Sequence, residues 1–144
     1  MYNLKKNFSF REMIINDYDQ VVTLWQQTPG LGLSDADSRE GIRAFLERNP
    51  GLCFICEQEK HLIGTILCGH DARRGYIYHL AVDEAHRKQG IGKQLTQLSL
   101  DALRRLGIAK CHLFVYRDNN EAELFYDRLG WQKRITLDIF SKDV

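Results

Sequence analysis

Two glycines, three basic residues and the start of an amphipathic helix fall together in Leu80-Ala81-Val82-Asp83-Glu84-Ala85-His86-Arg87-Lys88-Gln89-Gly90-Ile91-Gly92-Lys93. A helix start leaves backbone N–H groups without intrahelical partners and carries a partial positive charge, so it attracts an anion. Gly90 and Gly92 remove side chains where a phosphate oxygen must approach backbone, and Arg87, Lys88 and Lys93 add charge beside it. The chemistry this suits is the seating of a pyrophosphate. Two nucleotide signatures do not fit, because the third glycine of G-x-G-x-x-G and the G-x-x-x-x-G-K-[ST] spacing are both missing. A plainer reading, a glycine-softened helix start with solvated basic residues, accounts for the loop alone equally well.

The elements that must position this loop alternate along the chain. Phe8–Ile15 reads as a strand, and Val21, Val22, Leu24 and Trp25 suit a helix capped by Asn16 or Asp17. Thr28-Pro29-Gly30-Leu31-Gly32 breaks it, and Asp35-Ala36-Asp37-Ser38 opens a second helix that stops at Asn49-Pro50-Gly51. Leu52–Glu57, His61–Gly69 and Tyr76–Val82 read as an antiparallel meander. Ile91, Leu95, Leu98, Ala102 and Leu106 recur at helical spacing, and Gly107 closes that helix. His112–Tyr116 reads as a short strand, Glu121–Leu129 as a helix ending at Gly130, and Trp131–Phe140 as final strand material. Strands with crossing helices on one mixed sheet predict an α+β (mixed α/β) domain.

Composition narrows the function. The 144 residues fit one domain, 1–144, and 44% are apolar, enough for a core. Twenty Lys plus Arg against nineteen Asp plus Glu give a net charge of +1, which argues against a nucleic-acid binder. No apolar run approaches the roughly 18–20 residues of a membrane span, and the first residues lack the apolar core of a signal peptide. A cytoplasmic protein with no membrane partner is expected. Cys53 and Cys56 form a C-x-x-C inside the apolar run Leu52–Cys56, but residues three apart on a strand face opposite ways. With no second pair or neighbouring His, no metal is expected, and Cys68 and Cys111 read as core or strand cysteines.

A second motif, Asn119-Asn120-Glu121-Ala122-Glu123-Leu124-Phe125-Tyr126-Asp127-Arg128-Leu129-Gly130-Trp131, follows the short strand. Together with Arg87-x-x-Gly90-x-Gly92 after the apolar-Ala-Val triplet, it resembles the GNAT acetyltransferase superfamily. That pattern is Arg/Gln-x-x-Gly-x-Gly/Ala, then Asn-x-x-Ala-x-x-(Phe/Leu)-Tyr-x-x-x-Gly-(Phe/Tyr/Trp), and every position matches. The likeness covers the whole chain and is most similar to small bacterial members of the YpeA type.

The resemblance implies a central mixed sheet of about six or seven strands with about four helices, splayed at a coenzyme cleft between Tyr76–Val82 and His112–Tyr116. It implies an N-acetyltransferase that moves an acetyl group from acetyl-CoA to a primary amine by direct attack. Backbone of Leu80, Ala81 and Val82 would bond the pantetheine arm. Amides from Arg87, Lys88, Gln89, Gly90, Ile91 and Gly92, with Lys93, would hold the pyrophosphate. Asn119 would touch the arm, and Tyr126 would stand near the sulfur as general acid. Tyr126 also reads as a core tyrosine beside Phe125. The acceptor amine is unspecified, and the chain would act as a monomer or homodimer, with Leu137, Ile139 and Phe140 completing the core or serving an edge.

The chain departs from better-armed relatives at the base. Where they carry Glu or His, Tyr76, Tyr78 and Phe114 stand. By alternation His79 faces away from the cleft, and His112 and Glu40 are further candidates. That lack leaves a second reading open, a non-catalytic acyl-CoA sensor. Asp35, Asp37, Glu40 and Glu47 could draw in a cationic amine or simply suit a helix start, and His70-Asp71-Ala72-Arg73-Arg74 could bind an anion or form a solvated turn.

Overall fold

The computed structural model describes residues 7–144, so the reading of the first six residues lies outside the described chain. Two compact units form, one running up to Phe114 and the other from Val115 to Val144.

In the first unit the elements run β1 (Ser9–Glu12), α1 (Tyr18–Gln26), α2 (Arg39–Arg48), β2 (Phe54–Gln58), β3 (His61–His70), β4 (Gly75–Val82), α3 (Ile91–Arg105) and β5 (Cys111–Leu113). Single 3-10 turns precede α1, α2 and α3 at Ile15–Asp17, Asp35–Asp37 and Glu84–His86. The strands lie in sequence order in one sheet, antiparallel from β1 to β4. Only β4 and β5 are parallel, and α3 is the crossover that a parallel pair requires.

Each face of the sheet is covered. Val21, Leu24 and Trp25 of α1 and Ile42 of α2 pack with Met13, Cys53, Ile55, Leu67 and Ala81. On the opposite face Ile91 and Leu95 of α3 sit against Gly64, and Leu103 sits against Gly75. Cys53 joins the first layer while the Cβ of Cys56 neighbours Gly64 on the second, as strand geometry dictates. Ser38, not the acids before it, caps α2 by accepting from Gly41 N–H. Asp17 precedes α1 as expected, but its carboxylate takes the Ile14 N–H and both terminal nitrogens of Arg11 at 2.8 and 2.9 Å. That pair, with Glu57, raises the Arg11 guanidinium pKa further.

The second unit holds α4 (Asn120–Arg128), closed by Gly130 at φ +89°. Trp131 N–H turns back to the Tyr126 carbonyl at 3.0 Å, and Lys133 reaches Glu123 at 3.1 Å. The expectation of strand material over Trp131–Phe140 is corrected here: no strand forms, and Ile135, Leu137, Ile139 and Phe140 are exposed. They complete no core in the described residues. Among the described residues the sheet therefore has five strands rather than six or seven, although the mixed α/β class and the four α-helices stand.

Gly75 fixes how closely α3 approaches the β4–β5 pair. A Cβ there would lie 2.5 Å from Leu103 Cδ1 and 3.3 Å from its Cγ, and Leu103 is itself 2% exposed. Gly75→Ala should therefore cost about 1–3 kcal/mol through overpacking, read as a lowered urea midpoint with an unchanged slope.

Candidate active site

The sheet opens where β5 stops. Pairing between β4 and β5 covers Gly75–Cys111, Tyr76–His112 and Ile77–Leu113. Beyond Ile77, the strand from Tyr78 to Val82 pairs with β3 alone among the described strands, so its other edge has backbone groups outside the sheet's own pairing. Leu80, Ala81 and Val82 all lie on this stretch.

A bulge interrupts the same stretch. Thr65 pairs with Ala81 and Leu67 with Tyr78, so His79 and Leu80 stand opposite Ile66 alone. His79 is left-handed at φ +48°, a conformation costing a non-glycine residue about 1–3 kcal/mol. Strict alternation would turn His79 away from Tyr76 and Tyr78; the extra residue breaks that parity. Tyr78 meets Phe45 of α2 at 6.2 Å while the His79 ring lies tilted against Trp25 of α1 at 4.7 Å, so both face the same helical layer. Compensating contacts hold the residue. His79 Nε2 lies 2.7 Å from Asp37 Oδ1, and Thr65 Oγ1 donates to the His79 carbonyl at 2.9 Å.

Past Val82 the chain makes a tight turn into the start of α3. His86 is clasped by Asp83 at 2.7 Å and Gln58 at 2.9 Å, and Arg87 Nε donates to the Val82 carbonyl at 3.3 Å. Lys88 adopts φ +60° and Gly90 φ +82°, and Gly90 is the N-cap of α3. A side chain at Gly90 would meet no atom within 4 Å, so the glycine is there for its backbone conformation. Ile91 points inward and is 2% exposed, which anchors the first turn, while Arg87, Lys88 and Lys93 remain exposed around it and Gln89 and Gly92 are half-buried. Outward amides, open space and three cations fit a diphosphate.

The other candidates sort cleanly. Tyr76 stacks with Phe114 at 6.3 Å and lies 5.7 Å from the His112 ring, and Tyr78 and Phe114 are partly open to solvent. Glu40 points outward near Arg43. Asp71 Oδ1 accepts from the amides of Arg73 and Arg74 at 2.8 and 2.7 Å, which holds its pKa down and spends it on the turn. Burial pushes the Cys53 thiol up to about 12 and Cys56 to about 11, as inert core cysteines require. Among the described residues no cluster of three or more His, Cys, Asp or Glu is placed to hold a metal, and no helix is long and apolar enough to cross a membrane.

In the second unit Asn119 Oδ1 caps α4 by accepting from Ala122 N–H at 3.1 Å. Tyr126 lies between the rings of Phe125 and Trp131, at 5.1 and 5.7 Å. The bulge, and the bonds that join Thr65 Oγ1 to the His79 carbonyl and Trp25 Nε1 beside it, have no signal in the sequence, because no residue type announces a bulge.

A family model described as the acetyltransferase (GNAT) family matches residues 18–131. The chain belongs to the GNAT acetyltransferase family. As a member it is an acetyl-CoA-dependent N-acetyltransferase. Over 104 residues, 69% of each chain, it is 36% identical to N-alpha-acetyltransferase 30 of Schizosaccharomyces pombe. An acetyltransferase of Pectobacterium atrosepticum is 29% identical over 117 residues, covering 81% of this chain and 82% of that one. In fold it is similar to Ard1 from Thermoplasma volcanium, with TM-score 0.76, 23% identity and coverage of 85% and 81%. It is likewise similar to the paiA N-acetyltransferase from Thermoplasma acidophilum in complex with coenzyme A, with TM-score 0.75, 21% identity and coverage of 85% and 88%.

Gly90→Ala tests whether the start of α3 seats the coenzyme's diphosphate. Forcing alanine into a left-handed position costs about 1–2 kcal/mol, and the displaced amides should weaken coenzyme A by about tenfold in calorimetric titration, equivalent to about 1.4 kcal/mol. Unchanged affinity would place the diphosphate elsewhere.

Proposed function

We propose that this enzyme acetylates a primary amine, of a small molecule, a protein N-terminus or a lysine, by direct attack within a ternary complex. The observation that carries the reading is the open edge of β4 from Tyr78 to Val82, leading into the Gly90-capped start of α3. Backbone of Leu80, Ala81 and Val82 would hold the pantetheine arm; because Arg87 already occupies the Val82 carbonyl, its contribution there is its N–H. Amides and cations from Arg87 to Lys93 would hold the diphosphate. Asn119 uses its oxygen on α4, so its amide nitrogen is the group for the arm. Acetyl-CoA supplies an activated thioester, and bulge amides such as that of Leu80 would answer the charge growing on its oxygen. The Tyr126 hydroxyl would give the departing sulfur its proton. In this reading residues 1–144 act as one domain, as monomer or homodimer, and four free thiols suit a reducing cytoplasm.

The acceptor follows from the missing base. Neutralising a lysine of pKa about 10.4 at pH 7 costs roughly 4–5 kcal/mol, against roughly 1–1.5 for an α-amine near 8. With Tyr76, Tyr78 and Phe114 where a carboxylate or imidazole would serve, an α-amine is favoured. The fission-yeast relative's name, an N-alpha-acetyltransferase, supports that choice.

Two measurements test the reading. For peptide α-amines, log kcat/KM should rise with pH up to the amine's own pKa near about 8, moving with it when the amine is changed; a fixed limb at about pH 6–7 would reveal a protein base instead. Tyr126→Phe should lower kcat by about 10²–10⁴ while coenzyme A affinity holds. Tight coenzyme binding with no acetylation across an amine panel would point to a sensor.

A further inference from the structure

The bulge in β4 detaches the His79 carbonyl from regular pairing, and the structure meets that buried acceptor in an unusual way. Thr65 Oγ1, on the neighbouring strand, donates to the His79 carbonyl at 2.9 Å. The same oxygen accepts from Trp25 Nε1 of α1, also at 2.9 Å. Both Trp25 and Thr65 are 0% exposed, so neither bond competes with water. A threonine hydroxyl has one hydrogen, and here it is committed, which gives the chain one sense: indole to hydroxyl to carbonyl. The Trp25 ring also lies tilted against the His79 imidazole, centroids 4.7 Å apart, and His79 Nε2 meets Asp37 Oδ1 at 2.7 Å.

The His79 carbonyl and the Leu80 N–H belong to one peptide group. A hydrogen bond accepted at the carbonyl draws electron density toward oxygen and makes the N–H a stronger donor, and a second bond in line adds to the first. The left-handed backbone at His79 sets the plane of this peptide. Resting on the acetyl-transfer reading, we propose that Trp25 and Thr65 are positioning residues for the reaction: a buried relay that orients and polarises the His79–Leu80 peptide, strengthening the amide that faces the thioester oxygen. Neither side chain touches substrate. They act through a backbone group that mutagenesis cannot reach directly.

The experiment compares Thr65→Val, which keeps the shape and deletes the hydroxyl, with Thr65→Ser, which keeps the hydroxyl, and with Trp25→Phe, which keeps a ring and deletes the N–H. The first readout is the infrared carbonyl band of bound acetyl-CoA carrying a 13C label at the thioester carbon, which needs no acceptor amine. Wild type and Thr65→Ser should shift this band to lower frequency than free acetyl-CoA. Thr65→Val should lose most of the shift, and Trp25→Phe part of it. The second readout is kinetic: Thr65→Val should lower kcat by about tenfold or more while coenzyme affinity stays within about twofold, and Thr65→Ser should recover most of kcat. An unshifted band in wild type, a full shift in Thr65→Val, or equal losses in Thr65→Val and Thr65→Ser would each overturn the relay. If wild type shifts the band yet acetylates no amine, the acceptor reading fails while the relay stands.

Discussion

Backbone amides and carbonyls must find partners, and β4 between Tyr78 and Val82 is a strand whose second neighbour ends too early. Three rungs join it to β5, and past Ile77 the two part. A gap of this kind left unmatched in a buried sheet would be costly. Here it runs to the edge of the unit, where an extended ligand can serve as the missing strand. α3 bridges the parallel pair, so its first turn necessarily lies at the end of β4, and whatever lies along the open edge meets the helix amides next.

Both faces of the sheet bury matched polar groups among apolar ones. Under α3, Gly64 and Gly75 let Ile91, Leu95 and Leu103 settle onto the strands, and the buried Ser99 hydroxyl donates to the Leu52 carbonyl at 2.8 Å. That packing anchors the first turn of α3. Under α1 and α2 the core carries polar groups, Thr65 and the Trp25 indole, at 0% exposure and fully matched. Satisfied polar groups inside close packing hold the strands on both faces in one arrangement.

Most of this could be seen in the residues. The steps of four, three, four and four from Ile91 to Leu106 mark α3 because only a helix brings them to one side, and the structure ends it at Arg105 with Gly107 at φ +81°. Gly90 was legible for the same reason, since a positive φ at a helix start favours glycine. The bulge was not legible. Tyr76 to Val82 reads as plain alternation, and only the register against Thr65 and Leu67 shows that His79 and Leu80 share one partner. That is why alternation alone puts His79 on the face opposite Tyr78, and why the Thr65 bonds to Trp25 and to the His79 carbonyl do not show in the sequence. The tail failed differently. Ile135, Leu137 and Ile139 alternate as a strand should, but alternation states a preference for a half-buried surface, and a strand exists only where another strand pairs with it.

One carboxylate ties the segment between α1 and α2 to this machinery. From Leu33 to Ala36 the segment is exposed, whereas Asp37 turns inward to His79, and its own carbonyl receives the Tyr18 hydroxyl at 2.8 Å. The segment is also fastened before that point: Leu31 packs against the core, and Ser34 N–H donates to the same Asp37 carboxylate at 3.0 Å. Between those two ties only Gly32 and Leu33 stand, both exposed, so a lineage of such chains could rewrite that pair while the clasp on His79 stays as it is.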